Sequence, residues 1–349
     1  MNFTLHLTDM CNLRCEYCTQ TRNGRRMSLD TVKRLIDLSV KNSLRTGFCF
    51  YGGEPMLEFS LIRQIIDYCK TLDHRFSFKM NTNGLLLNEE TVKYLSDNNV
   101  GIGLSIDGLM QKSRKMPDGS DSLEAVSNAA RLVLEYQPKA ASRTVISPEN
   151  VDLFYDSVLY LLDLGFKTVI TTPAYGKFAA WDDEKLRRLR IGYEKVSSMY
   201  ADRFGTDVRF GFPELESKIL THIRGGISNV TRCHSDLSQC SVNPEGNIYP
   251  CIQFVDRDEY IIGTAEKGFF ADRVSSLILH KSPKECEGCA LSDRCLNFCG
   301  CTNLIETGQI DRISPFHCEH ERMLIDIADR LGESLYSKYP EKFIQVFYK

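Results

Sequence analysis

The stretch NFTLHLTDMCNLRCEYC, residues 2–18, joins a short β-rich run directly to three closely spaced cysteines. The run at 3–7 predicts a strand, and Cys11, Cys15 and Cys18 follow it in a Cys-x3-Cys-x2-Cys spacing. Three thiolates leave one iron of a [4Fe–4S] cluster without a protein ligand, because each iron takes one external ligand. A tetrahedral zinc site is the alternative, and it needs a fourth ligand, for which the strand's own histidine is available.

Beyond this stretch, β-rich runs alternate with helix-length stretches whose apolar residues recur near every 3.6 positions. Further strands are predicted at 48–52, 76–82, 101–106, 141–146 and 167–172. Helices are predicted at 29–44, 59–69, 88–98, 122–137, 150–165 and 182–203, several behind a capping residue such as Ser28, Asn88 or Asn150. This order predicts an α/β fold with a parallel sheet, either open or closed into a barrel. Active sites in such folds lie at the C-terminal ends of the strands, where the first cysteine group falls.

The cysteines are the unusual part of the composition. The chain has fourteen in 349 residues; three lie at 11–18, nine at 233–318 and none at 70–232. Cys49 and Cys69 fit small apolar positions in a strand and a helix, but the two groups predict metal binding in a reducing compartment. We therefore expect a cytoplasmic protein.

Charge and hydropathy exclude several other classes of protein. The net charge is -3 and there is no basic block, which disfavours nucleic acid as the main partner. No apolar run approaches the ~20 residues that a membrane span needs. The first residues carry no positive region of the kind that opens a secretory signal.

Other polar and glycine-rich segments also stand where predicted strands end. They are YGGEP at 51–55, NTNG at 81–84 and SIDG at 105–108, while Arg143 lies on the fifth strand. Glycines allow a backbone to approach a ligand closely, and arginine suits bidentate recognition of a carboxylate. Each residue alone is typical of a turn or surface, but their shared placement predicts a site at the same edge as the cysteines.

CNLRCEYC resembles the CxxxCxxC signature of the radical S-adenosylmethionine (SAM) superfamily, and the GGEP, TNG and SIDG segments resemble its further motifs in order. The resemblance implies a partial (β/α)6 TIM-like barrel. It also implies that Cys11, Cys15 and Cys18 hold a cluster whose open iron binds SAM, and that SAM cleavage yields a 5′-deoxyadenosyl radical. The implied SAM-binding residues are Tyr17, Gly52, Gly53, Glu54, Pro55, Asn83, Ser105, Asp107 and Arg143.

The second cysteine group resembles the SPASM domain, which carries auxiliary clusters in peptide-modifying members of the superfamily. The resemblance implies two auxiliary [4Fe–4S] clusters, hence three clusters in all. The ligands implied for the first are Cys233, Cys240, Cys251 and Cys299, and those for the second are Cys286, Cys289, Cys295 and Cys318. Cys301 is a further thiol that could replace Cys299. Zinc knuckles are the alternative, because four-cysteine spacing also fits zinc.

The substrate implied by this resemblance is a peptide. One reading is a maturase that forms a thioether or carbon–carbon crosslink in a ribosomally made peptide; the YPCIQFV segment at 249–255 resembles that of maturases of cysteine-rich or CXXX-repeat peptides. Related anaerobic sulfatase maturases form formylglycine, but they place an aspartate base after the cysteine matching Cys251, where this chain has Ile252. Isoleucine cannot accept a proton. A peptide epimerase or a non-catalytic iron–sulfur scaffold would also carry these cysteine groups.

These readings imply partners and a domain order. A flavodoxin or ferredoxin-type protein would donate electrons, and the early first strand predicts that a separate partner helps to bind the precursor's leader. The predicted organisation is a barrel at 1–205, a linking segment at 206–231, the SPASM domain at 232–320 and a C-terminal helix and tail at 321–349.

Overall fold

The computed structural model describes residues 1–176, 179–226, 238–276 and 282–348. They form two compact units that interleave along the chain. The first unit comprises Met1–Ser105, Arg114–Gln137 and Cys233–Ile278, and the second comprises Ile106–Ser113, Pro138–Arg232 and Leu279–Lys349. The domain boundaries predicted from the sequence stay a prediction, and the first unit takes residues from both sides of them.

The first unit is built on a mixed β-sheet. Its strands are β1 (Asn2–His6), β3 (Arg45–Tyr51), β4 (Arg75–Thr82), β5 (Val100–Ser105), β9 (Gln239–Val242), β10 (Asn247–Tyr249), β11 (Gly263–Thr264) and β12 (Gly268–Phe269). They lie in the order β12-β11-β10-β9-β1-β3-β4-β5. Strands β9, β1, β3, β4 and β5 pair in parallel, and β9 to β12 pair antiparallel. The predicted parallel α/β fold is confirmed.

Four helices of the first unit follow the predicted positions: α1 (Leu29–Asn42), α2 (Phe59–Lys70), α3 (Glu89–Asp97) and α4 (Leu123–Tyr136). The short helix α8 (Ala271–Ser276) was not predicted. The predicted caps hold at two of the four, since Ser28 accepts from the Thr31 amide and Asn88 forms a capping box with Thr91. A two-stranded antiparallel pair, β2 (Arg14–Cys15) and β6 (Arg114–Lys115), lies beside the cysteine loop.

The two faces of this sheet differ in polarity. Phe3, Leu5, Phe48 and Phe50 are fully buried and share the face on which Thr46 donates to Ser39 of α1. By the two-residue strand period, the opposite face carries polar side chains, among them Thr4, His6, Cys49, Tyr51, Lys79 and Asn81. Lys79 is exposed and Tyr51 is half-buried. The parallel strands therefore present a polar, partly open wall beneath the loops at their C-terminal ends.

The second unit packs helices around a parallel strand pair. Its strands are β7 (Ala141–Ile146) and β8 (Val169–Pro173), and its helices are α5 (Phe154–Asp163), α6 (Asp183–Phe204), α7 (Pro213–Ile223), α9 (Gly300–Thr307), α10 (Pro315–Lys338) and α11 (Pro340–Phe347). Asn150 differs from its prediction, because its side chain donates to Ser113 and α5 begins only after the short 3-10 turn Val151–Leu153. No helix in the described ranges is long and apolar enough to cross a membrane.

Candidate functional site

The loop after β1 carries the first cysteine group. Cys11, Cys15 and Cys18 are all half-buried, and the Leu13 amide points at Cys11 Sγ from 3.4 Å. Burial raises the pKa of Cys11, and the negative charge of Glu54 adds to that rise. An amide aimed at sulfur suits a thiolate better than a thiol, and thiolate donors alone suit iron–sulfur chemistry. The loop therefore fits the cluster that the sequence predicts.

The ligand sets themselves stay predictions. Across the described residues, no three His, Cys, Asp or Glu side chains already stand at the spacing of a bound metal ion. A four-iron cubane holds its thiolates farther apart than a single ion does, so the fit rests on the chemistry of the donors and on the loop contacts.

Glu54 follows β3 and contacts the C-terminal end of the neighbouring strand, β4. Its carboxylate is 1% exposed and accepts hydrogen bonds from Thr82 Oγ1 at 2.6 Å, the Asn83 amide at 2.8 Å and the Met56 amide at 3.0 Å. Burial raises the pKa of Glu54 although these donors oppose the rise. The predicted contact between Glu54 and SAM stays a prediction; in the structure this carboxylate mainly fixes the Asn83 segment.

Gly52 and Gly53 are needed for packing against the cysteine loop. A Cβ atom at Gly52 would lie 2.4 Å from the Thr8 carbonyl oxygen, and one at Gly53 would lie 2.1 Å from that of Met10. The Gly53 amide donates to Thr8 and the Glu54 amide to Met10, both at 2.8 Å. These glycines therefore lie directly against the backbone that leads to Cys11. The next residue after Glu54, Pro55, begins the 3-10 turn Pro55–Glu58.

Asn83 follows β4, and its side chain contacts the cysteine loop. Its side-chain amide donates to Asn12 Oδ1 at 2.7 Å and lies 3.8 Å from Cys11 Sγ. Tyr17 lies beneath the Arg114 guanidinium at 5.3 Å. Ser105 is half-buried at the end of β5. The structure thus brings Asn83 to the predicted cluster loop, as the sequence predicts for a shared edge.

Asp107 and Arg143 belong to the second unit. Asp107 is fully buried, and its carboxylate accepts the Val145 amide at 2.8 Å while its own amide donates to Gln111 at 2.7 Å. Arg143 lies on β7 with an exposed side chain. Their predicted roles at SAM stay predictions, and the contacts of Asp107 show that it also anchors β7.

Arg25 is a site residue that the sequence reasoning missed. It donates to Asp9 at 2.6 Å and to Asp256 at 2.5 Å, and it pairs with Glu245 at 3.3 Å. Burial alone would raise the pKa of Asp256, but Arg25, Thr21 and Asn243 outweigh it and lower that pKa. Arg25 therefore ties the segment just before Cys11 to the segment after Cys251. An arginine with acidic partners far along the chain leaves no local signal in a sequence.

The first auxiliary ligand set is only partly described. Cys233 lies outside the described residues. Cys240 is fully buried in β9 opposite Phe3, on the apolar face of the sheet, whereas Cys251 is half-buried beyond the end of β10. Cys299 lies in the second unit, with its sulfur 3.3 Å from that of Cys301. This set stays a prediction.

The second auxiliary set lies wholly within the second unit. Cys286, Cys289, Cys295 and Cys318 are all half-buried. Burial raises the pKa of Cys286, the Asn297 side chain opposes that rise, and the charges of Cys318 and Cys289 add to it. Burial also raises the pKa of Cys295, followed by the charge of Glu321. A set of four cysteine thiols, without histidine or carboxylate ligands, suits an iron–sulfur cluster.

Comparison with known proteins places these sites in context. The uncharacterized protein MJ0907 of Methanocaldococcus jannaschii is 30% identical over 172 residues, covering 47% of this chain and 59% of that protein. The radical SAM cyclopropyl synthase TigE of Paramaledivibacter caminithermalis is 23% identical over 44% of this chain and 37% of its own. Both matches span less than two thirds of the relative. A cysteine-type anaerobic sulfatase-maturating enzyme of Clostridium novyi is 24% identical over 76% of each chain.

Solved structures share the fold over most of the chain. The structure of anSMEcpe with bound AdoMet and Kp18Cys peptide superposes with a TM-score of 0.81 at 19% identity, covering 97% of this chain and 100% of that one. SuiB of Streptococcus suis bound to precursor peptide SuiA gives 0.66 at 16% identity, covering 90% and 75%. The radical SAM superfamily profile matches residues 5–189, more than half of the chain. The chain therefore belongs to the radical SAM superfamily.

Proposed function

We propose that this protein is a radical SAM peptide maturase that crosslinks a ribosomally made peptide through a thioether or carbon–carbon bond. The observation that carries the proposal is the set of hydrogen bonds that hold the start of the cysteine loop. They come from three parts of the chain: the Gly52–Glu54 segment, Asn83 and Arg25. Such bracing fixes the backbone on either side of Cys11 before a cofactor binds.

Cys11, Cys15 and Cys18 would hold the SAM-binding cluster, and the cysteines of the second group would hold two auxiliary clusters. When bound, the first cluster would reduce SAM to give a 5′-deoxyadenosyl radical, and an auxiliary cluster would accept the electron released as the crosslink forms. The chain's own residues hold the cysteine loop in position. Glu54 accepts a hydrogen bond from the Asn83 amide, and the Asn83 side chain contacts Asn12 of that loop. The polar wall of β1, β3 and β4 offers the substrate hydrogen-bonding groups beneath that loop.

A peptide substrate is supported by the solved structures that share this fold. They include anSMEcpe with its Kp18Cys peptide and SuiB with its precursor peptide. Formylglycine formation is disfavoured because Ile252 opens the turn after Cys251 and cannot accept a proton. The next carboxylate of that segment, Asp256, is committed to Arg25.

The proposal includes partners and a compartment. A flavodoxin or ferredoxin-type donor would supply electrons, and a separate protein would help to bind the leader of the precursor. Clustered thiols need a reducing compartment, so we place the enzyme in the cytoplasm.

The test uses anaerobically reconstituted enzyme, SAM, reductant and a cysteine-rich candidate peptide, taken from any such sequence encoded beside its gene. We expect 5′-deoxyadenosine and a peptide that has lost two hydrogens per crosslink: one leaves to the radical, one leaves as a proton, and the spare electron goes to an auxiliary cluster. A Cys15→Ala variant is the control and should form no 5′-deoxyadenosine. Formation of 5′-deoxyadenosine with an unchanged peptide mass would contradict crosslinking and favour epimerisation.

A further inference from the structure

An ion pair is buried in the second unit between α7 and α10. Lys218 Nζ lies 2.6 Å from Glu321 Oε2, and the two side chains are only 5% and 3% exposed. Removing two charges from water costs about as much as their attraction returns, so such a pair adds little stability over apolar residues. Its position must therefore be understood from what else the two side chains contact.

Both members of the pair contact the backbone on either side of Cys295. Lys218 Nζ donates to the Arg294 carbonyl oxygen at 3.3 Å. The Leu296 amide donates to Glu321 Oε2 at 2.6 Å. The pair thus contacts the residue before Cys295 and the residue after it.

Further contacts fix the same two residues to the same two helices. The Arg294 guanidinium donates to Asp329 of α10 at 2.8 Å and to Thr221 of α7 at 3.3 Å. The Leu296 carbonyl oxygen lies 3.3 Å from His317 Nε2 of α10. Cys295 therefore stands on a segment whose flanking residues are held from both sides.

Cys286 and Cys289 of the predicted set are held less firmly, whereas Cys318 stands in the first turn of α10. Cys286 ends the 3-10 turn Lys284–Cys286, which contains no buried residue. Cys289 follows three residues later and is half-buried. A ligand fixed before the metal arrives lowers the conformational cost of binding, and groups that orient a ligand matter nearly as much as the ligand itself.

We propose that the Lys218–Glu321 pair is a positioning device that presents Cys295 to an auxiliary cluster before iron binds. This inference rests on the proposed function, which assigns Cys295 to one cluster with Cys286, Cys289 and Cys318. Lys218 and Glu321 are assigned no contact with SAM or the peptide. Their role is to set the backbone on either side of one ligand.

The test is the double substitution Lys218→Met/Glu321→Leu in the full chain. Removing both charges avoids the unpaired buried charge that either single change would leave, so the protein should still fold. The iron content of the reconstituted protein should fall from about twelve to about eight per chain, the loss of one four-iron cluster. The electron paramagnetic resonance change that SAM causes at the Cys11–Cys18 cluster should persist.

Two further variants separate positioning from a general effect on α10. Arg330→Met/Asp326→Leu removes an exposed ion pair from the same helix, with side chains 57% and 47% exposed, and should keep about twelve irons. Lys218→Arg keeps a buried cation that can donate to the Arg294 carbonyl, and it should also keep about twelve irons.

A folded double variant with about twelve irons would overturn the positioning role and leave the proposed function intact. A folded Lys218→Arg protein with only about eight would overturn it as well. A wild-type content of about four irons would instead contradict the auxiliary clusters themselves, and this inference would fail with them.

Discussion

Glu54 is buried where β3 ends, and its carboxylate accepts hydrogen bonds from Thr82, Asn83 and Met56. Asn83 in turn reaches Asn12 and the sulfur of Cys11. One buried acceptor thus orders the segment that contacts the predicted cluster loop. The residue acts through its neighbours whether or not it also touches SAM.

A Glu54→Gln variant tests this arrangement. The new amide group would present hydrogens to at least one of the three donors, and a buried donor without a partner costs about 1–3 kcal/mol. We expect a lower melting temperature and weaker SAM binding in equilibrium dialysis. Glu90→Gln, an exposed carboxylate on α3, is the matched control and should change neither. Unaltered melting and SAM affinity in Glu54→Gln would show that the hydrogen bonds to Glu54 are dispensable.

Motif resemblance located these residues in the sequence but did not give their contacts. The glycines of the GGE segment were expected to admit a ligand, yet their close neighbours are the carbonyl oxygens of Thr8 and Met10. Arg25 was missed because its partners Asp9 and Asp256 are 16 and 231 residues away. Such pairings depend on the folded chain and leave no periodic or local pattern.

At the scale of single elements, the direction of strand side chains decides what a cysteine can reach. The eight thiols of the predicted auxiliary sets were matched to two clusters, with Cys240 among them. In the structure β9 places Cys240 on the face shared with Phe3 and Val242, both buried. Spacing along the chain could not show this, because β9 is four residues long and was not predicted as a strand.

Helix α7 carries Glu214 in its first turn; the residue is half-buried, but its carboxylate oxygen Oε2 is buried. One oxygen accepts the Thr171 amide at 2.7 Å, and burial raises the pKa of Glu214 to about 8. The folded protein therefore holds this proton more tightly than the unfolded chain, whose ordinary value is 4.5. The stability contributed by the protonated form is complete below the ordinary value and is lost as pH rises through the folded value.

A Glu214→Gln variant should remove that dependence on pH. The amide keeps an acceptor for the Thr171 amide and carries no charge at any pH, so the variant should match the wild type near pH 5 and melt at a higher temperature near pH 9. The gain in free energy is at most ~5 kcal/mol, from the 1.36 kcal/mol that each pKa unit represents. Glu333→Gln, which changes an exposed carboxylate on α10, is the control. Parallel melting curves of wild type and Glu214→Gln at both pH values would contradict the raised pKa.

At the scale of the whole molecule, the alternation of strands and helices was predictable because buried strands and amphipathic helices leave strong periodicities. The six predicted strands match β1, β3, β4, β5, β7 and β8 within a few residues. The interleaving of the two units was not predictable, since it depends on which late segments return to early ones. Residues 239–242 pair with β1, whereas residues 282–348 belong to the other unit.

The two units differ in how much apolar side chain their cysteine-bearing segments bury, and this difference predicts how the protein responds to loss of iron. Cys286 ends the 3-10 turn Lys284–Cys286, which contains no buried residue, and Cys289 follows it three residues later. Segments without an apolar core depend on their metal for order, whereas the sheet of the first unit buries large aromatic side chains and does not. Chelating the iron should therefore expose Lys284 to trypsin before the strands are cut, whereas Arg294, which is held by Asp329 and Lys218, should stay resistant.

Limited proteolysis with mass spectrometry, on protein before and after chelation, measures this directly. Arg45 and Arg75 are exposed residues at the start of β3 and β4, and they serve as internal control sites in the same digest. Equal early cleavage at all four sites after chelation would mean that iron holds the whole chain together rather than one region. Resistance of Lys284 in the chelated protein would mean that its segment stays ordered without a cluster.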